Sequence, residues 1–118
     1  MSEFKATVAA FHGLIAQGKF MEALDLYYDE RASSSDNEGP SVNGLEALRK
    51  AALGFLNNTS DMKTVLENSI VIDNYSVAQW HYQFTNSKIG RVDYRQISVA
   101  HWENGKIVKE QHLHHVKY

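Results

Sequence analysis

The sequence predicts an α+β domain in which three N-terminal helices cover one face of an antiparallel sheet. Three observations carry that expectation. Apolar residues recur at spacings of three and four as far as about residue 57, and they alternate singly from residue 62 onward. Helical periodicity followed by strand periodicity, with no interleaving, places the helices on one side of one sheet. Asn104-Gly105 separates two alternating runs between Arg91 and Tyr118, and this pair supplies the positive φ angles of a two-residue hairpin.

The elements follow in order. Phe4, Val8, Phe11 and Ile15, with Leu14 beside them, form one stripe of a first helix over residues 3 to 17, with Ser2 as its cap. Gly18 ends it, and a second helix starts at Lys19-Phe20 with Phe20, Leu24 and Tyr27 or Tyr28 on one side. The run from Asp29 to Asn43 is rich in Ser, Asp, Asn, Gly and Pro, so it reads as a short irregular strand and a loop. After a turn at Asn43-Gly44, Leu45, Leu48, Ala52, Phe55 and Leu56 mark a third helix ending near Asn57. A four-stranded meander completes the chain. Its first strand, 62 to 73, puts Leu66, Ile70 and Ile72 on one face. Asn74-Tyr75 then turns the chain into a second strand, 76 to 85, with Ala78, Trp80, Tyr82 and Phe84 opposite Gln79, His81 and Gln83.

Composition narrows the partners. With 118 residues the chain fits a single domain, 1–118, and buries roughly two thirds of its unfolded surface. Its 43 % hydrophobic and 22 % charged residues are those of an ordinary globular protein, and a net charge of −2 gives no footprint for nucleic acid or anionic lipid. Cysteine is absent, which excludes disulfides and thiolate zinc sites. No stretch approaches the ~18 apolar residues of a membrane span, and the N-terminal residues lack a signal-peptide pattern, so a cytoplasmic protein is expected.

The last hairpin holds the unexplained polar residues. One face of its first strand carries Tyr94, Gln96, Ser98, Ala100 and Trp102, and the other carries Arg95, Ile97, Val99 and His101. On the final strand Val108, Glu110, His112, His114 and Val116 oppose Ile107, Lys109, Gln111, Leu113 and His115. Polar groups on both faces point to a hydrated cavity under the helices and a semi-polar contact on the outer face.

Leu26-Tyr27-Tyr28-Asp29-Glu30, Gly44-Leu45-Glu46-Ala47-Leu48 and Asn104-Gly105-Lys106-Ile107-Val108, taken in this order, resemble the nuclear transport factor 2-like superfamily. Within it the chain is most similar to the SnoaL-like polyketide cyclases and ketosteroid isomerases. The resemblance implies a curved sheet around a cone-shaped pocket, and a homodimer through the outer sheet face. It also implies site positions. The oxyanion-hole tyrosine of the isomerases falls on Phe11, their strand aspartate on Ser98, and their base on Ser35 beside Asp36, which argues against steroid isomerase chemistry. The cyclase aspartate on the last strand falls on His112.

The residues themselves suggest an acid/base group at His112 oriented by Glu110, because imidazole titrates near neutral pH and a carboxylate fixes its tautomer. The competing reading is a partly solvated strand that tolerates polar residues. Asp36 is either a loop base or a turn former. Tyr94, Gln96 and Ser98 are candidate donors to a carbonyl. Phe11, Trp80, Trp102 and His114 are candidate lining residues, with core packing as the alternative for the aromatics. Glu110, His112 and His114 sit roughly 6 to 7 Å apart along a strand, which strains a single metal ion unless His12 or Asp36 joins them, so no metal and no cofactor are expected. His81 and His101 belong to the outer face. The function expected is cofactor-free isomerisation, cyclisation or dehydration of a small hydrophobic, oxygenated or cyclic ligand, with a non-catalytic dimeric ligand-binding or protein-association module as the alternative.

Overall fold

The structure, a computed structural model, describes residues 2–116. Helix α1 (Ser2–Ala16) and helix α2 (Phe20–Tyr27) form a hairpin. Gly18 takes φ +78°, which lets the Lys19 amide bond back to Leu14 O at 2.9 Å and close α1. The Ser2 side chain expected to cap α1 lies outside the described residues, as do Lys117 and Tyr118.

Strand β1 (Tyr28–Asp36) and the two-residue β2 (Val42–Asn43) replace the expected short strand and loop. Then come α3 (Leu45–Asn57), β3 (Thr59–Ile72), β4 (Tyr75–Asn86), β5 (Gly90–Glu103) and β6 (Lys106–Leu113). The sheet has six strands, the expected four-stranded meander extended by β1 and β2, ordered β2-β1-β6-β5-β4-β3, and it stays open while curving over the helices. The β3–β6 meander is antiparallel, and β1 joins it parallel to β6 with Asp36 opposite His112. Asn104 (φ +52°) and Gly105 (φ +76°) make the predicted tight turn. The turn before β4 falls at Asp73-Asn74, one residue earlier than expected, with Asp73 at φ +53°.

Two bulges revise the expected faces. Leu66 pairs with Trp80 and Asn68 with Gln79, so Glu67 is an extra residue and the side chains beyond it change sides. Ile70 and Ile72, expected beside Leu66, therefore lie on the outer face, 59 % and 58 % exposed. In the last hairpin His101 pairs with Lys109 but Trp102 with Ile107, which makes Val108 the extra residue. Ile107 is consequently buried in place of Val108. Strand β6 also ends at Leu113, so His114 lies beyond the regular strand.

The core sits between α1, α2 and the inner face of β4 and β5. Ala78, Trp80, Tyr82 and Phe84 of β4 and Tyr94, Ala100 and Trp102 of β5 are buried against Val8, Phe11, Ile15 and Leu24. Each large apolar side chain removed from water here is worth about 1.5–3 kcal/mol. Phe11 is the hub: its ring lies 5.6 to 5.9 Å from those of Tyr27, Tyr28 and Trp102, edge to face. No helix among the described residues is long and apolar enough to cross a membrane.

Candidate functional site

The helices do not fill the concave side of the sheet completely. A cavity of about 650 Å³ remains, within the size range of small-molecule pockets. Its apolar wall comes from Phe11, Ile15 and Leu24 below, Leu48 and Phe55 of α3, and Trp80, Tyr82 and Phe84 of β4. Exposed residues such as Asp36, Pro40, Val42 and Lys88 also line it and mark its mouth. The polar lining is concentrated where β1, β5 and β6 run side by side: Tyr28, Gln96, Ser98, Glu110 and His112.

The pleat and the register create this cluster. Ser98 and His112 are direct partners across the β5–β6 ladder, and Glu110 lies two residues before His112 on the same face. Tyr28 is the residue at which α2 gives way to β1, with extended backbone at φ −106° and ψ 136°. That change of direction carries its hydroxyl across to Glu110, to which it donates a short hydrogen bond. The same Glu110 Oε1 lies 3.2 Å from His112 Nε2. His112 Nδ1 is 2.8 Å from Ser98 Oγ and 3.1 Å from Gln96 Nε2, which also donates to Ser98 Oγ at 3.1 Å.

These contacts define the resting tautomer. Two donors converge on Nδ1, so that nitrogen accepts, and Nε2 carries the proton that faces Glu110. A chain then runs from Gln96 through Ser98 and His112 to Glu110, with Tyr28 closing its far end.

The electrostatics of the pair are set by burial and by mutual charge. Burial is the strongest influence on Glu110 and by itself would raise its pKa; the charge and hydrogen bond of His112, the Tyr28 hydroxyl and the charge of His12 outweigh it and hold the carboxyl below its ordinary value. Burial likewise pulls His112 down, but the charge and hydrogen bond of Glu110, with the charge of Asp36, reverse the sign and raise it. Burial and then Glu110 push the Tyr28 phenol well above its ordinary value, so it remains a donor. Glu110 is 5 % exposed, whereas 24 % of the His112 side chain is accessible and lines the cavity.

Of the residues singled out from sequence, Glu110, His112, Asp36, Tyr94, Gln96, Ser98, Phe11 and Trp80 all border the cavity. Trp102 and His114 do not. Trp102 is buried behind it, donating Nε1–H to Ser76 Oγ at 2.9 Å and packing on Phe4, Phe11 and Tyr27. His114 packs on Tyr94 at 5.6 Å, and its Nε2 lies 3.2 Å from Asp36 Oδ1, so it braces the mouth from behind. Asp36 is exposed and held by that contact. His81 and His101 face outward, bonded to Asp93 and Asn74. Among the described residues no group of three or more His, Asp or Glu has metal-holding geometry.

Tyr28 and His12 complete the site, although the sequence pointed to His12 only as a possible further metal ligand and to Tyr28 only as part of the second helix. Nothing in the sequence marks Tyr28, because its partner is 82 positions away. His12 had a signal: it is four residues after Val8 and three before Ile15, on the buried stripe of α1. It is 5 % exposed, borders the cavity, stands edge-on to Trp80 at 5.6 Å, and has no hydrogen bond or ion pair among the described residues. Burial lowers its pKa, partly offset by Glu110, and keeps it neutral.

No curated protein matches the chain. Solved structures of the same shape are numerous. A protein from Mesorhizobium loti, provisionally named a SnoaL-like polyketide cyclase, superposes with a TM-score of 0.83 at 24 % identity, covering 92 % of this chain and 96 % of that one. A second protein with the same provisional name, from Jannaschia sp. CCS1, gives 0.80 at 15 % identity over 96 % of this chain and 85 % of its own. An NTF2-like protein of unknown function from Burkholderia pseudomallei gives 0.80 at 13 % identity over 99 % and 92 %. At such identities the likeness is one of fold. The sequence pattern of the SnoaL-like domain, however, runs from residue 8 on the first helix through Glu110 beside the cavity's imidazole, and by that match the chain belongs to the SnoaL-like domain family of the NTF2-like superfamily.

Proposed function

We propose that the cavity binds a small, largely apolar, oxygenated or cyclic molecule and that His112 moves a proton on it. The observation carrying this reading is one apolar cavity whose polar residues converge on a single imidazole–carboxylate pair, His112 Nε2 lying 3.2 Å from Glu110 Oε1. Glu110 holds Nε2–H and leaves the Nδ1 lone pair as the base. A ligand carbonyl that takes over the donors Ser98 and Gln96 brings an adjacent acidic C–H towards Nδ1, and the same donors then stabilise the developing enolate. Return of the proton to a different atom completes an isomerisation, a ring closure or a dehydration. Every step uses groups of this chain alone.

A second reading has its own support. Both nitrogens of His112 already face partners within the chain, and Phe11 and Ser98 occupy the positions that the isomerase resemblance assigns to its acidic donors. A module that binds the same kind of ligand without reacting fits those facts, and dimerisation through the outer sheet face suits either reading.

Deuterium exchange separates them. In D₂O the protein should accelerate exchange at the acidic carbon of a cyclic ketone such as 2-tetralone, followed by NMR. His112→Asn should slow it by about 10²–10⁴-fold. Binding of the ketone without exchange above the buffer rate would select the non-catalytic module; neither binding nor exchange across a panel of cyclic ketones and phenols would sink both.

A further inference from the structure

We propose that Ser98, His112 and Glu110 form a serine–histidine–glutamate relay, and that the cavity transfers or hydrolyses the acyl group of a small hydrophobic ester. This goes beyond proton transfer at the same site and assigns Ser98 a covalent role.

The geometry is that of an activated nucleophile: a hydroxyl on a base, and the base on a carboxylate. Ser98 Oγ lies 2.8 Å from His112 Nδ1, and His112 Nε2 lies 3.2 Å from Glu110 Oε1. Gln96 Nε2 donates to Ser98 Oγ at 3.1 Å, which orients the hydroxyl proton towards Nδ1. The ring is used in the reverse sense from the familiar serine hydrolases, where Nε2 faces the serine, but either imidazole nitrogen can accept a proton while the other is held. Tyr28 donates to Glu110 and secures the carboxylate, as buried triad carboxylates require.

A relay also needs something to bind the oxyanion. The Gln96 amide spends its two protons on Ser98 Oγ and His112 Nδ1 at rest and can turn one to a ligand oxygen, and His12 is a neutral imidazole on the same cavity with no hydrogen bond or ion pair among the described residues. No buried side-chain nitrogen or oxygen among the described residues lacks a partner, so the unbonded ring nitrogens of His12 are open to the cavity, where a ligand oxygen can reach them. His12 is placed suitably: it packs on Trp80, whose strand partner is Gln96.

The steps balance. Ser98 Oγ bonds to the ester carbonyl carbon as its proton passes to Nδ1. The carbon–alkoxy bond breaks as Nδ1 returns that proton to the leaving oxygen, releasing the alcohol and leaving acyl-Ser98. Solvent water then gives a proton to Nδ1 and adds to the carbonyl carbon; the bond to Ser98 Oγ breaks, Oγ regains the proton, and the carboxylic acid leaves. The apolar walls select an ester with a hydrophobic acyl or alcohol part.

The test uses p-nitrophenyl butyrate with the whole chain, and a fluorophosphonate to trap the nucleophile. The expected result is a burst of about one p-nitrophenolate per chain, with the butyryl or phosphonyl group mapped to Ser98 by peptide mass spectrometry. Ser98→Ala should abolish labelling, and His112→Asn should slow acylation at least ~100-fold. Glu110 acts through His112 as a positioning residue, so Glu110→Gln should lower the midpoint of the acylation pH profile. Label on another residue, undiminished release by Ser98→Ala, an unmoved midpoint in Glu110→Gln, or no acylation of the wild type would overturn the relay. Wild-type mapping decides the matter even if a variant fails to fold. Ketone exchange that persists where no acyl group forms would overturn the relay and leave proton transfer standing.

Discussion

Glu110 and His112 are costly residues to place under a helical layer, and they are retained as a mutually satisfied pair. Removing one partner of a buried ion pair typically costs 3–5 kcal/mol, and the partial accessibility of His112 to the cavity brings the expectation for His112→Gln down to about 2–3 kcal/mol. The pH dependence of that difference follows from the signs. Glu110 titrates below its ordinary value near 4.5, so its contribution is present above that value and is lost as pH falls through the lower folded pKa. His112 titrates above its ordinary value near 6.5, so its contribution is full below 6.5 and is lost as pH rises through the higher folded pKa. The windows overlap between about pH 4.5 and 6.5. Urea unfolding of wild type minus His112→Gln should show the largest gap there and a smaller one by about pH 8; a gap that widens towards pH 8 would contradict the pairing. Subtracting the two proteins removes the opposite contribution of His12, whose lowered pKa destabilises the fold as pH drops below about 6.5.

At the scale of elements, what was legible in the sequence depended on how local its cause was. The alternation of Ser76 to Asn86 and of Tyr94 to Trp102 needs no information beyond each strand, and the inner faces came out as read. The bulges at Glu67 and Val108 leave no comparable mark: one extra residue reverses a face, and only the pairing partner reveals it. The length of β1 and its parallel pairing with β6 were hidden more deeply. The strand's Ser- and Asp-rich composition is that of a turn, and its hydrogen bonds go to β6, whose residues Lys109 to His112 lie some 76 positions away. The same distance concealed Tyr28, whereas Glu110, His112, Gln96 and Ser98 were visible together because hairpin strands are neighbours in sequence and space. Ala32 is what lets β1 seat. It is fully buried, its carbonyl accepts from the Gly44 amide at 2.7 Å, and the β1–β6 register shifts around it. Ala32→Leu should therefore cost about 1–3 kcal/mol by overpacking, read as a lower urea midpoint at unchanged slope. A neutral result would mean that β1 is looser than its pairing indicates.

For the whole molecule, the open sheet has two unlike surfaces, and only the concave one is covered by its own helices. The convex face exposes Val65, Ile70, Ile72, Tyr75 and Leu113 around the half-buried Ile97 and Val99, and the bulge at Glu67 contributes to it by turning Ile70 and Ile72 outward. Isolated apolar side chains on a surface are ordinary, but a run of them across paired strands suits a self-complementary contact about a two-fold axis. Polar pairs accompany the patch: Arg95 with Glu67 as an ion pair, and Asp93 in hydrogen bonds with His81 and Gln83, so that two copies can approach with these groups already held within their own chain. Light scattering at micromolar concentration should accordingly give twice the 13.4 kDa chain mass. Val99→Glu, which places a carboxylate in the middle of the patch, should yield a monomer whose cavity still binds the ketone, because Val99 and the cavity lie on opposite faces of β5. A wild-type monomer under these conditions would remove the convex face from the interface, and loss of ligand binding in a folded monomeric variant would show that the cone depends on its partner to hold its curvature.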